Sequence, residues 1–199
     1  MSAPFAHNVG RVITADIAVP EHKRELRFYS QTLMTGKPPL WRGDLMNNLG
    51  EPIIGLGEVS EEYAHLPLQW MPHIQVADVA ASAKSALGRG GSALMHSKND
   101  KGDSQWAVLQ DPQGAAFRAV MPQEGGDGGS SPAKPGEFSW HELATTDYEA
   151  AFNFYQEIFG WEFSMETDIG EGWIYKMFKK KGADFSYGGI FNRPEEMPF

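Results

Sequence analysis

Apolar and polar residues alternate along residues 12–19, where Ile13, Ala15, Ile17 and Val19 share one face. That period of two predicts a half-buried strand. The period then changes. Pro20 and Glu21 suit the first turn of a helix, which tolerates a missing N–H and favours an acid. Leu26, Phe28 (or Tyr29) and Leu33 follow as an apolar stripe at helical spacing. Residues 38–59 return to strand-like composition, punctuated by Gly43, Gly50, Gly55 and Gly57.

The same succession recurs twice. A strand over residues 70–76 leads to Asp78, an N-cap type, and to a helix running to Leu87. Gly88-Arg89-Gly90-Gly91 stops it. Strands follow at 92–96, 105–110 and 115–121, the last two joined by the turn Asp111-Pro112-Gln113-Gly114. Later, a strand from Phe138 leads to Asp147 and a helix with Ala151, Phe154, Tyr155 and Ile158 on one side. Strands at 161–166, 173–179 and 185–191 complete that unit. Each unit reads βαβββ. Between the second and third, residues 123–136 hold five glycines, two prolines and no large apolar side chain. Such a stretch buries too little to fold and reads as a flexible linker. The expected organisation is residues 1–122 as one domain of two modules (about 10–60 and 68–122), the linker 123–136, and a single module over 137–199.

The first and third units also repeat each other in sequence. Aligning Phe28-Tyr29 with Phe154-Tyr155 places Glu21 on Asp147 and Asp16 on Glu142. Internal repetition of this kind points to duplicated modules. The phrases Trp140-His141-Glu142-Leu143, Thr146-Asp147, Phe159-Gly160-Trp161, Tyr187-Gly188-Gly189-Ile190, and Asp111-Pro112-Gln113-Gly114-Ala115 with Phe117 add to it. In this order and spacing the chain resembles the vicinal oxygen chelate superfamily of glyoxalases, bleomycin-resistance proteins and dioxygenases. It is most similar to the two-domain, glyoxalase-related branch often labelled hydroxylase. The resemblance implies an α+β fold in which repeated βαβββ modules form a curved, open eight-stranded barrel around one pocket. Four modules are usual in this branch. A third module without a partner in the chain implies pairing with the third module of a second copy, hence a homodimer, or a sequence cut short.

Enzymes of the superfamily hold a divalent metal through His, Glu or Gln on the first and last strands of the modules. The first-strand position, seven residues before the acidic helix start, falls on Thr14 and Trp140 here, and on Met71 or Pro72 in the second module. The last-strand position, four residues past the Asp-Pro-Gln-Gly glycine, is Arg118. None is a good ligand, and an arginine cation repels a metal ion. His73 and His141 sit beside the expected places. A one-residue slip turns a strand side chain to the opposite face, so His141 is expected to face the helix with Leu143. His73 and His141 remain the reserve ligands should the register differ. The expectation is no metal and no other cofactor, with a divalent metal as the alternative. His7, His22, His65 and His96 fall in terminal or surface segments.

Strand parity turns Asp16, Arg118 and Glu142 towards the barrel interiors. Asp16 and Arg118 then form either a structural ion pair or a polar ligand site, with Arg118 as a fork for a carboxylate. Trp41, Trp70 and Trp106 are candidate walls of that pocket, and Trp173 of a second one; core packing is the alternative for each. Glu142 is the candidate catalytic residue, a buried acid acting as general base. The reading that follows is a glyoxalase- or bleomycin-resistance-like protein binding a small organic molecule. The alternative is a metal-dependent lyase, isomerase or dioxygenase, and whether the chain is an enzyme stays open.

Composition narrows the classes. Seventeen basic against 26 acidic residues give a net charge of −9, which argues against a nucleic-acid partner. The one basic run, Lys179-Lys180-Lys181, precedes Gly182 and reads as a hairpin tip. Without cysteine, thiolate chemistry and disulfides are excluded. No apolar run reaches the roughly 18 residues of a membrane span, and the N-terminus lacks the pattern of a secretion signal. A soluble cytoplasmic protein without a membrane partner is expected. No serine stands in a nucleophile-elbow context, and the glycine-rich stretches lack the strand-to-helix setting of a phosphate loop.

Overall fold

The computed structural model describes residues 9–32, 44–46, 52–61, 64–121, 138–170 and 172–197. Trp41, His7, Leu33 and the linker 123–136 lie outside them. The first module consists of β1 (Val12–Val19), α1 (His22–Thr32), β2 (Asp44–Met46) and β3 (Pro52–Glu58). The second consists of β4 (Met71–Gln75), α2 (Val79–Gly88), β5 (Ser92–Lys98), β6 (Ser104–Gln110) and β7 (Ala116–Val120). The third consists of β8 (His141–Thr145), α3 (Tyr148–Phe159), β9 (Glu162–Asp168), β10 (Ile174–Lys179) and β11 (Gly188–Asn192).

The first two modules share one sheet of order β2-β3-β1-β4-β7-β6-β5. Each module pairs its first strand parallel to its last, β1 with β3 and β4 with β7. The modules meet where β1 runs antiparallel to β4. The third module repeats the plan as a separate sheet, β8-β11-β10-β9, with β8 parallel to β11. The described strands of the first sheet number seven, not eight, and nothing joins β2 to β5 among the described residues. The sheet is nevertheless curved, because Gly55 of β3 and Met95 of β5 line the same cavity.

Helix starts follow the sequence signals. Asp78 and Asp147 sit in extended conformation and accept from the amides of Ala81 and Ala150, each at 2.9 Å. Gly160 ends α3 at φ +68°, the left-handed cap that glycine adopts at least cost. The Lys179–Lys181 run does lead into a turn, with Gly182 at φ +73° and the Ala183 amide bonded to the Lys180 carbonyl. Two details of β1 and α1 differ from the pattern. An irregularity in the β1–β4 pairing between Val12 and Thr14 brings Val12 into the core in place of Ile13. In α1 the packed residues are Leu26 and Tyr29, while Phe28 is exposed.

The third module packs against the first sheet through its helix side. Phe117 of β7 meets Phe154, Tyr155 and Phe159 of α3 edge-on, with centroids 5.3–6.3 Å apart. Trp161 stacks on Phe178 at 3.9 Å and donates its indole N–H to the Gly10 carbonyl at 2.7 Å. Tyr187 donates to the same carbonyl. One apolar core therefore runs through both sheets, burying the side chains that dominate hydrophobic stabilisation.

The Gly188-Gly189 pair has a steric reason. A Cβ on Gly188 would meet the Phe178 ring and, at 2.7 Å, the His141 carbonyl; a Cβ on Gly189 would enter the Tyr175 ring. Gly189→Ala is expected to displace Tyr175 and cost about 1–3 kcal/mol, read as a lower urea midpoint with an unchanged slope.

Candidate functional site

The curved sheet encloses a cavity of about 540 Å³. β1 and β3 supply one wall, with Asp16 opposite Gly55 and Ala18 opposite Gly57. Those glycines leave the floor beside Asp16 free of side chains. β6 and β7 supply the other wall with Trp106, Val108 and Arg118, and Met71, Met95 and Leu66 close the apolar remainder.

Four polar side chains, those of Thr14, Asp16, His73 and Arg118, converge at the junction of β1, β4 and β7. The register Thr14↔His73↔Arg118 places three of them side by side on the concave face. Asp16 Oδ2 lies 2.8 Å from His73 Nε2 and 3.6 Å from an Arg118 guanidinium nitrogen. His73 Nδ1 is 2.9 Å from the Thr14 hydroxyl. With a proton on Nε2 alone, Nδ1 accepts from the Thr14 O–H. The Nε2–H points off the line to Asp16, which makes that contact electrostatic more than a hydrogen bond. The Arg118 guanidinium also lies over the Trp106 ring, 4.1 Å from its centroid, a cation–π contact that holds its plane. Asp16 and Arg118 face the cavity; Thr14 and His73 stand behind them as support.

His73 corrects the sequence register. It lies two residues from Met71, not one residue off the inward face, so it shares the concave side with Asp16. The reserve pair is not brought together, because His141 stands on the other side of its sheet. No group of three His, Asp or Glu side chains converges among the described residues. The donors at the junction are one imidazole and one carboxylate, and that carboxylate already faces a guanidinium. This set does not fit a divalent cation.

The other expected site residues are dispersed. Trp106 lines the cavity. Trp70 points to the helix side instead, edge-on to Tyr29 at 5.6 Å and 40% exposed, because it precedes the inward Met71 by one position. Trp173 is exposed in a shallow groove by Tyr148 and Arg193. Glu142 is exposed and not buried, since no strand covers the concave face of the third sheet among the described residues. It accepts a hydrogen bond from the Tyr175 hydroxyl at 2.8 Å, and Trp140 Nε1 donates to that hydroxyl at 2.6 Å. Burial, with the nearby Glu142 carboxylate, outweighs the Trp140 donor and pushes the Tyr175 phenol up to about 12. Sequence reasoning missed Thr14 and Tyr175 as partners. Strand parity with Asp16 was the available signal for Thr14; Tyr175 gave none.

His141 lies with Leu143 against the first sheet, where it touches Phe138 and Tyr187. Burial, helped by the Arg11 charge, lowers its pKa to about 4.

Paired strand–helix–strand modules, each closing its first strand parallel to its last around a concave pocket, define the class. Residues 12–120 match the glyoxalase-like domain family, and residues 137–189 match the glyoxalase/bleomycin resistance protein/dioxygenase superfamily. The chain belongs to this family. Two curated relatives are the anthracycline biosynthesis proteins DauV, from a Streptomyces species, and DnrV, from Streptomyces peucetius. Each is 33% identical over 95 residues, covering 48% of this chain and 34% of the relative. The matched segment is thus about a third of each relative's length. Among solved structures, the halotolerant catechol dioxygenase BphC superposes with TM-score 0.63 at 11% identity, over 94% of this chain and 66% of that one. The Mn(II)-bound glyoxalase from Novosphingobium aromaticivorans gives TM-score 0.51 at 11% identity, over 94% and 62%. At these identities the likeness is one of fold. No helix of the described residues is long and apolar enough to cross a membrane.

Proposed function

We propose that the chain binds a small, flat organic acid in the barrel-like pocket of its first sheet, without a metal ion. One observation carries the reading: the guanidinium of Arg118 lines the cavity among apolar walls, a cation where a metal ion would need a donor. Held flat over Trp106 and 3.6 Å from Asp16, it is oriented to exchange a long contact with Asp16 for a two-point contact with a ligand carboxylate. The glycine floor and the Met and Trp walls accept the rings. The kinship with anthracycline biosynthesis proteins supports a polycyclic aromatic ligand.

His73 and Thr14 hold the back of Asp16, so the carboxylate keeps its place when Arg118 turns to the ligand. The alternative, a metal-dependent lyase, isomerase or dioxygenase, has the fold in its favour and the donor set against it. Glu142, exposed and tied to Tyr175, has no part in this pocket.

The test is titration with anthraquinone-2-carboxylate, followed by quenching of tryptophan fluorescence. Arg118→Ala is expected to weaken binding by about 10- to 100-fold, the loss of a charge-assisted hydrogen-bonded pair. Equal affinity of both proteins would contradict the reading. Asp16→Asn, which removes the carboxylate that competes with the ligand for Arg118, is expected to bind as well or better.

The third sheet supports a partner. Its concave face presents Trp140, Glu142 and Tyr175, and among the described residues β8 lacks the antiparallel neighbour that β1 and β4 find in each other. An open edge of this kind favours pairing. A second copy of the chain, joined β8 to β8, supplies that pairing and makes a homodimer. Light scattering at micromolar concentration is expected to give twice the chain mass; a monomer would refute it.

A further inference from the structure

A second cavity, of about 240 Å³, lies in the seam between the first sheet and the third module. Its walls come from both sides: Ile74 and Phe117 from the first sheet, Tyr155, Trp161 and Phe178 from the third module. It is separate from the pocket that holds Arg118.

The polar groups in these walls are nearly all committed. The Tyr155 hydroxyl donates to Asp111 at 2.9 Å, and the Trp161 N–H donates to Gly10. The Gln69 amide reaches the Ala116 carbonyl at 3.5 Å. His141 differs. Its ring touches Phe138 and Tyr187, but no hydrogen bond reaches either ring nitrogen among the described residues. Leaving a half-buried imidazole without a partner costs free energy. The ring lines the cavity, where a ligand hydroxyl can take the place of water on it. The remaining walls are apolar or already paired, which favours a neutral ligand.

We infer that the seam cavity is a second binding site, for a neutral one- or two-ring phenol. The rings would lie among Phe117, Trp161 and Phe178, and the hydroxyl would bond to the unprotonated nitrogen of His141. A ligand touching both walls also ties the third module to the first sheet. The inference does not depend on the reading of the barrel pocket.

The experiment is titration of the full chain with 2-naphthol, followed by the indole N–H signals of the tryptophans in a nitrogen–proton NMR spectrum at pH 7. Saturable movement of the Trp161 signal, with Trp106 unmoved, is the expected result. His141→Leu is expected to weaken 2-naphthol by about 3- to 10-fold, one neutral hydrogen bond, and to leave naphthalene, which has no hydroxyl, unchanged. Leu143→Phe, which narrows the cavity and keeps the imidazole, is expected to weaken both. Movement confined to Trp106, no saturable shift at all, or equal loss of both probes in His141→Leu would overturn the assignment.

Discussion

Asp111→Ala is expected to destabilise the protein by about 3–5 kcal/mol and to loosen the third module from the first sheet. Asp111 is 3% exposed and serves two structures at once. Its Oδ1 accepts from the Gln113 and Ala115 amides at 2.9 and 2.8 Å, which shapes the Asp-Pro-Gln-Gly turn. Its Oδ2 accepts from the Tyr155 hydroxyl of α3 at 2.9 Å. Burial raises the Asp111 pKa despite these three donors. Alanine strands two amides and a hydroxyl in the interior, each at about 1–3 kcal/mol. Asp111→Asn keeps an oxygen for the turn amides and removes the buried charge, so its loss should be under half as large. Tyr155→Phe removes only the hydroxyl and should cost about 1–2 kcal/mol. Urea unfolding of the three variants checks the ranking; equal loss in the alanine and asparagine variants would contradict it.

The second large effect is a pH dependence centred on His141. Its pKa falls from 6.5 unfolded to about 4 folded, chiefly through burial and further through Arg11. The folded state resists the proton that the unfolded chain accepts. The stabilisation is therefore complete above pH 6.5 and is lost as pH falls towards 4. Over that window the loss amounts to about 3 kcal/mol. His141→Leu removes the titrating group. Its unfolding free energy should fall less than that of the natural protein between pH 7 and pH 4.5, by about 2–3 kcal/mol. Parallel losses in the two proteins would mean that the imidazole is not enclosed in the seam.

The elements were legible because their signals are local. Asp78 and Asp147 cap as written, Gly160 stops α3, and residues 12–19 form β1, though Val12 takes the core place expected of Ile13. The repeat of Phe28-Tyr29 in Phe154-Tyr155 falls on the helices of two modules with a like strand–helix order, but the two pairs have different fates: Phe28 is exposed, while Phe154 and Tyr155 enter the shared core. Tertiary packing decides that, and a single sequence does not carry it. The pocket was half legible. Parity put Asp16 and Arg118 on one face, and the structure places them 3.6 Å apart. The place of His73 depends on how β4 sits against β1, and a count from the helix start misses that by one residue. Trp70 was misassigned for the same reason, since one step along a strand exchanges the pocket wall for the helix side. The docking of the third module through Phe117, Asp111 and Gly10 joins residues far apart in the chain and left no pattern to read.

The claim at the centre of this account is that an arginine-bearing, metal-free pocket does the binding. Its most direct test is elemental analysis of the purified protein after dialysis against Ni²⁺, Mn²⁺, Zn²⁺ and Fe²⁺ and removal of the excess. The account predicts no metal retained in stoichiometric amount, because the junction offers His73 and Asp16 as donors and sets the Arg118 cation beside them. Close to one ion per chain, lost in Asp16→Ala and in His73→Ala, would contradict it and put the metal-dependent reading in its place.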